Sequence, residues 1–278
     1  MSSALEKSFA IIELLAAHPS GLTINEIVRG TDQPASGVHR TLQELGRLGY
    51  VRQLQAHGSY ILTMKLPAMG LAHLSRAGIS DIAQPILDQL AKETAELIRL
   101  SVVDGENLVW VAVAQGATSG LRYDPGQEQG VVVHLASSAA GLAWMSAMGD
   151  DEILTRVARQ GIRREEAEAG AGAPASLADV LERVGEARRN GYSISIDSYI
   201  PGMGAMAVPV RYRGDRPVLG CLSIAGPAVR MTPARMAQLA PLLKTAADDL
   251  GTVAAGSQYF QTLVREYEGV PARQTVAT

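Results

Sequence analysis

Apolar residues recur through the first fifty positions at helical spacing and then switch to alternation. From Ala4 to Ala17, Leu5, Phe9, Ile12 and Leu15 or Ala16 form one stripe, which predicts an amphipathic helix. His18-Pro19-Ser20-Gly21 ends it, because proline cannot continue a helix and glycine suits the turn. Thr23 and Glu26 then make a T-x-x-E capping box, which opens a short helix from Ile24 to Arg29, stopped by Gly30. After Thr31-Asp32-Gln33-Pro34 a third helix is predicted from Ala35 to Leu48, closed by Gly49. Its Val38, Leu42 and Leu45 repeat at i, i+4 and i+7 and face inward, leaving Ser36, His39, Arg40, Gln43 and Arg47 on the other side. Two short alternating runs follow, Tyr50 to Leu54 and Tyr60 to Leu62, around Gln55-Ala56-His57-Gly58-Ser59, a hairpin with glycine in its turn.

A short helix, a turn and a longer helix make a helix-turn-helix, and a hairpin directly behind them makes a wing. Arginine and glutamine on the third helix carry the forked donors and acceptors that match guanine and adenine in the major groove. An ordinary solvated surface helix would show the same division of residues. The hairpin tips the reading toward double-stranded DNA, with Arg52, Gln53, His57 and Tyr60 placed to rest against phosphates or the minor groove.

Charge changes this picture little. The chain has 278 residues and a formal net charge of −3, which by itself argues against a nucleic-acid binder. Counted by segment, residues 1–65 carry six basic groups against five acidic ones, net +1, whereas residues 81–255 carry 16 against 21, net −5. Clustering of cations on one face matters more than their total. Length suits two domains, and 47% apolar residues with only 4% aromatics means cores built from Leu, Ile, Val, Ala and Met. Cys221 is the single cysteine, so no intramolecular disulfide or cysteine-based zinc framework is expected. The start MSSALEKSFA lacks a signal-peptide pattern, and no run reaches the ~18 apolar residues of a membrane span, so a cytoplasmic location without a membrane partner is expected.

Behind the hairpin, Pro67 to Gly78 reads as a short helix and Ile82 to Ala95 as an amphipathic one. Leu97 to Val103 and Leu108 to Ala114 are valine-rich strands joined by Asp104-Gly105-Glu106-Asn107. Helices are predicted at Ala139 to Met148, Glu152 to Arg159 and Leu177 to Asn190, with a small-residue, mobile loop E-E-A-E-A-G-A-G-A-P-A between the last two. Strands at Tyr192 to Asp197, Met203 to Tyr212 and Pro217 to Ala225 precede a closing helix from Pro233 to about Gly251 and a frayed tail from Gln261. The expected class is α/β and multidomain. Its parts are a winged helix-turn-helix (1–65), a linker helix (66–80), an α/β domain with a mostly antiparallel sheet (81–255) and a tail (256–278).

Two blocks of residues resemble a known family. The run G-L-T-I-N-E-I-V-R-G-T-D-Q-P-A-S-G-V-H-R-T-L-Q-E-L-G-R-L-G-Y-V (Gly21 to Val51), with the wing run G-S-Y-I-L-T-M-K-L-P-A-M-G behind it, is similar to the DNA-binding domain of the IclR transcription regulators. R-R-N-G-Y-S-I-S-I-D-S-Y-I-P-G-M-G-A-M-A-V-P-V (Arg188 to Val210), followed by L-S-I-A-G-P (Leu222 to Pro227), resembles the family's second domain. The resemblance spans roughly residues 4 to 255. It implies a homodimer or dimer of dimers, a GAF-like effector domain and operator palindromes bound as repressor or activator.

The resemblance also implies an effector pocket at the backbone amides of Ala139 and Ala140, behind Ser137 and Ser138, with Ser195, Met203, Ala205, Ser223 and Ala225. The N-terminus of the helix at Ala139 offers free N–H groups for a carboxylate, although Ser137 or Ser138 would serve equally well as a plain cap. Sensors of glyoxylate and pyruvate place an acid, a thiol and a second serine where this chain has Ser195, Ala205 and Ala225, and Leu142 replaces the usual cation after Gly141. Fewer polar groups suit a larger, more apolar ligand, so the expected effector is an organic acid with a hydrophobic or aromatic body. Catalytic signals are weak: there is no G-x-S-x-G elbow and no Ser-x-x-Lys, and Gly202-Met203-Gly204 is only a fragment of a dinucleotide fingerprint. His73, His134 and Asp197 lack ligand spacing, so no metal, cofactor or catalytic residue is expected.

Overall fold

The computed structural model describes residues 3–55, 58–123, 128–164, 170–213 and 217–269. The chain divides into two compact units, Met1–Arg76 and Ala77–Thr278.

The first unit starts with helix α1 (Ala4–Ala16), opened by a reciprocal capping box between Ser3 and Glu6. Its inward face differs from the expected stripe. Ile11 and Leu15 are buried, whereas Leu5 and Phe9 are 67% and 50% exposed. The helix is apolar on more than one side, so two stripes satisfy the same periodicity, and packing selects the one through Ile11 and Leu15. Helix α2 (Ile24–Thr31) starts at the Thr23–Glu26 capping box and runs past Arg29 and Gly30 into Thr31, with Asp32 in the left-handed region behind it. Helix α3 (Ala35–Arg47) follows Pro34. Strands β1 (Val51–Gln53) and β2 (Tyr60–Leu62) pair antiparallel, Val51 opposite Leu62 and Gln53 opposite Tyr60. Ile11, Leu15, Ile27, Val38, Leu42, Leu45 and Val51 form the core. Gly21 sits at φ +89° beside Tyr60, where an added Cβ would lie 2.6 Å from the Ile61 side chain, so only glycine lets the turn meet the wing. Helix α4 (Lys65–Ala77) closes the unit and starts two residues before the expected Pro67.

The second unit is a five-stranded antiparallel sheet between two helical layers. Helix α5 (Ile79–Thr94) leads to strands β3 (Leu97–Asp104) and β4 (Asn107–Gln115). Helices α6 (Ala139–Met145), α7 (Asp150–Gln160) and α8 (Leu177–Asn190) follow. Strands β5 (Ser193–Ile196), β6 (Met203–Arg211) and β7 (Val218–Pro227) complete the sheet, in the order β4-β3-β7-β6-β5. Helix α9 (Pro233–Val253) lies with α5 against the sheet, and α6 packs on β5, β6 and β7 together with α8.

Alternation assigns the two faces of the sheet. Leu97, Cys221, Ala225, Ala205 and Ala207 join the α6 side, leaving Ile98, Leu100, Leu222, Ile224 and Met206 for α5 and α9. One bulge breaks the rule. Leu100 pairs with Ala112 but Ser101 pairs with Trp110, so Val111 is extra. That single residue shifts the phase of β4 and turns Trp110 toward α6, the same side as Arg99.

Two expectations need correction here. The predicted helix to Met148 stops at Met145, and the segment expected to fray forms helix α10 (Gln258–Tyr267). Phe260 and Val264 of α10 are buried, Ser257 caps it and donates to the Ala77 carbonyl at 2.8 Å, and Tyr259 donates to the Val103 carbonyl at 2.7 Å. The acidic character of that stretch hid an apolar i, i+4 pair. Of the expected mobile loop over residues 165–175, residues 165–169 lie outside the described residues, while the rest is tied down, Gly170 N donating to the Ser198 carbonyl at 3.1 Å and Gly172 N to the Asp197 carbonyl at 2.6 Å.

Candidate DNA-binding face and candidate effector site

In the first unit α3 presents two unlike sides. Val38, Leu42 and Leu45 are buried, and Ser36, His39, Arg40, Gln43 and Arg47 are exposed. Arg40 and Gln43 make no side-chain bond among the described residues, whereas Arg47 is held by Glu44, Nη2 to Oε2 at 3.0 Å. In the wing, Arg52 and Gln53 are exposed, and Gln53 Nε2 donates to the Gly58 carbonyl at 3.0 Å. Tyr60 is half-buried and packs against the core, so its ring is largely committed to packing. His57 lies outside the described residues.

Thr23, Ile24, Asn25, His39, Gln53, Gly58 and Tyr60 surround a hollow of 540 Å³ between the α2 N-terminus, α3 and the wing. The N–H groups and positive dipole end of α2 thus lie beside His39 and the wing, an arrangement suited to a phosphate. The backbone and hydroxyl of Thr23 hold the Glu26 carboxyl below its ordinary range, so the cap stays ionised. Asn25 was not singled out by sequence; its only signal was its place two residues after the cap. Lys65, one of the cations counted above, is already engaged: its Nζ donates to the Leu48 carbonyl at 2.8 Å and lies 4.6 Å from the Tyr50 ring.

In the second unit the residues expected around an effector come together on the α6 side of the sheet, all buried except the half-buried Met203. Their hydroxyls are occupied. Ser138 Oγ accepts from Gly141 N at 3.0 Å and caps α6, a helix of only seven residues. Ser137 Oγ contacts His134 Nδ1 at 2.8 Å. The Ser137 carbonyl accepts from Ser195 Oγ at 2.7 Å and from Ser198 Oγ at 3.0 Å, and the Ala139 carbonyl accepts from Ser193 Oγ at 2.6 Å. Ser223 Oγ donates to the Arg99 carbonyl at 3.3 Å. Ala205 and Ala225 pair across β6 and β7, and a Cβ on Gly141 would lie 2.3 Å from the Leu135 carbonyl, which explains glycine there.

Sequence reading missed a polar cluster on this same side. Arg99, the third residue of β3, forms an ion pair with Glu128. Its guanidinium lies 4.7 Å from the centre of the Trp110 ring. Tyr123 Oη donates to Glu128 Oε1 at 3.1 Å, and burial together with that carboxylate holds the phenol well above its ordinary range, so it remains a donor. Trp110 and Tyr199 meet edge to face at 5.3 Å, and Arg164 stacks 4.2 Å over Tyr199. His134 Nδ1 accepts from Ser137 N at 3.3 Å, so Nε2 carries the proton, and burial with the Arg164 charge lowers its pKa. The available signal for Arg99 was a lone charge inside an apolar strand, L-I-R-L-S-V-V. No cluster of three potential metal ligands exists among the described residues, and no helix among them is long and apolar enough to cross a membrane.

Comparison with known proteins agrees with both units. Residues 4–55 match the IclR helix-turn-helix domain, and residues 71–252 match the domain described as bacterial transcriptional regulator IclR C-terminal. The chain is 27% identical over 241 residues to the HTH-type transcriptional regulator KipR of Bacillus subtilis, covering 87% of this chain and 92% of KipR. It is 24% identical over 254 residues to the HTH-type transcriptional repressor AllR of Salmonella typhimurium, covering 90% and 89%. The fold matches that of Thermotoga maritima IclR (TM-score 0.68, 21% identity, 89% of this chain and 96% of that one). It also matches an IclR homolog of Microbacterium hydrocarbonoxydans complexed with 4-hydroxybenzoate (TM-score 0.73, 19% identity, 92% and 100%). A helix-turn-helix unit followed by this α/β domain, each matched over its own stretch of sequence, makes the chain a member of the IclR family of transcriptional regulators.

Proposed function

We propose that the polar flank of α3 enters the major groove of an operator, and that an organic acid bound on the α6 side of the sheet sets how tightly the DNA is held. The division of α3 carries this reading. Three buried apolar residues fix the helix to its unit, while Ser36, His39, Arg40 and Gln43 stand in solvent, where they are available to base edges. Arg47, Arg52 and Tyr60 supply phosphate-side contacts, Arg47 by exchanging Glu44 for a phosphate, and His57 is assigned with them from its place in the wing sequence alone.

The chain acts as a cytoplasmic homodimer or dimer of dimers, as repressor or activator and without catalytic turnover. Leu5 and Phe9 on α1, and Met69 and Leu71 on α4, are large apolar side chains exposed in the single chain and suited to burial against a second copy. The C-terminal unit is a GAF-like effector domain whose site comprises Ser137, Ser138, Ala139, Ala140, Ser195, Met203, Ala205, Ser223 and Ala225. The Microbacterium homolog with 4-hydroxybenzoate supports an aromatic acid as ligand class. Effector binding shifts the population of sensor arrangements and hence the spacing of two recognition helices, which must match half-sites about one turn of duplex apart.

The test is a DNA-binding titration of the full chain on genomic fragments it enriches, with a panel of carboxylic acids from two carbons to aromatic. Aromatic acids are expected to change the affinity and two-carbon acids to leave it unaltered. A response confined to the small acids overturns the ligand class. Binding that survives Arg40→Ala with Gln43→Ala at parental strength overturns the DNA reading. Ser223→Trp, which fills the α6 side, is expected to remove the acid response and retain the DNA.

A further inference from the structure

Arg99 and Glu128 are 5% and 7% exposed, so both charges have been taken out of water. A buried ion pair of this kind repays its desolvation only when its remaining donors are also satisfied. Here they are not. Arg99 Nε and Trp110 Nε1 are buried N–H donors without an acceptor among the described residues. They belong to two side chains stacked on each other, on the side of the sheet that also carries Ser223, Ala205 and Ala225.

Glu128 reaches this place from a surface segment. Gln129, Gly130, Val131 and Val132, which follow it, are all exposed, and Glu128 is the one side chain of that run set into the interior. Tyr123 holds the Glu128 carboxylate from the far side. The result is a planar anion on a guanidinium that itself stacks on Trp110, next to the edge-to-face Trp110–Tyr199 pair, with two N–H groups that lack acceptors among the described residues. A benzoate-like molecule presents the same parts in one body: a planar single-charge carboxylate for the guanidinium fork and a ring for the aromatic side chains.

We propose that Arg99 is the carboxylate anchor of this domain and that Glu128 is its built-in occupant, displaced when an aromatic monocarboxylate binds. The proposal rests on the effector reading of the α6 side and names its anchor and its gate. Displaced Glu128 returns to water, which offsets part of the cost of breaking the pair. Apparent affinity is then the intrinsic affinity reduced by the small fraction of molecules in which Arg99 is free.

The test is calorimetric titration and thermal melting of the full-length protein with benzoate and 4-hydroxybenzoate, using benzamide as the uncharged probe. Glu128→Gln keeps the size of the occupant without its charge and is expected to bind benzoate about tenfold or more tightly than the parent. Glu128→Ala is expected to melt lower and to be restored by benzoate or acetate, which supply the missing anion. Arg99→Met combined with Glu128→Leu removes both charges together, keeps the fold and is expected to lose the benzoate response. Benzamide is expected to give none with any form.

Equal benzoate affinity in the parent and Glu128→Gln overturns the gate, and unaltered binding by the Arg99→Met, Glu128→Leu protein overturns the anchor. If benzoate binding ignores all these changes but disappears with Ser223→Trp, the effector face stands and the Arg99 assignment falls. Benzoate that binds neither the parent nor Glu128→Gln also overturns the anchor, and the acid panel on DNA then judges the effector face independently.

Discussion

The two units place their polar chemistry in opposite settings. On α3, Arg40 and Gln43 stand in water, fixed by nothing but the helix beneath them. On β3, Arg99 lies inside the fold, neutralised by a residue 29 positions away and stacked on Trp110. A solvated arginine costs the folded state little and contributes little until a partner arrives. A buried one has already lost its hydration and must have a counter-charge from the moment of folding. The first design reads an external surface; the second binds by exchange of one anion for another. Substitutions should therefore separate recognition from stability in the first unit and entangle them in the second.

The largest expected effect tests that entanglement. Glu128→Ala leaves a buried cation unpaired and should cost about 3 to 5 kcal/mol of stability, measured by urea denaturation, with most of it recovered by adding Arg99→Met. If Glu128→Ala unfolds at the parental midpoint, the pair is solvated and the contrast between the units fails. Next, Arg40→Ala with Gln43→Ala should weaken specific DNA binding by about a hundredfold, near 3 kcal/mol, while the melting temperature stays within a degree or so of the parent. Loss of stability in step with loss of binding would show that this face, too, is structural. Thr23→Ala removes the cap of α2 and should cost about 1 kcal/mol, together with weaker binding that loses part of its salt dependence.

The smallest effect is one of acidity. His134 has its pKa lowered from 6.5 in the folded chain, so below that value the unfolded chain takes up a proton that the folded one refuses. Stability is therefore full above pH 6.5 and declines as the pH falls toward the folded value. A His134→Asn protein should show a flatter denaturation midpoint across the same window.

The N-terminal unit was readable from sequence because its determinants are local. The T-x-x-E cap, the 38-42-45 spacing and the wing glycine each act within a few residues, and the structure follows them. Where α1 offered two apolar stripes, periodicity could not choose between them. In the C-terminal unit the strands and the helices up to α9 were legible, but α10 and the functional chemistry were not. Trp110 faces Arg99 only because Val111 is bulged, and no pattern in N-L-V-W-V-A-V-A-Q reveals which residue the sheet will pass over. Glu128 and Tyr123 looked like ordinary loop residues, since their pairing exists only once the strands have assembled. Around α6 the hydroxyls of Ser193, Ser195 and Ser198 are occupied by backbone oxygens; only Ser195 of the three was expected at the site, and sequence cannot distinguish this use from ligand contact.

Those same serines carry a mechanical implication. Ser193, Ser195 and Ser198, spread along the outermost strand and the bend after it, are all riveted to carbonyls at the opening of α6. Helix and strand are thereby coupled into one stiff plate. A shift at the start of α6 therefore pulls on β5, at the opposite margin of the sheet from the strand that carries Trp110.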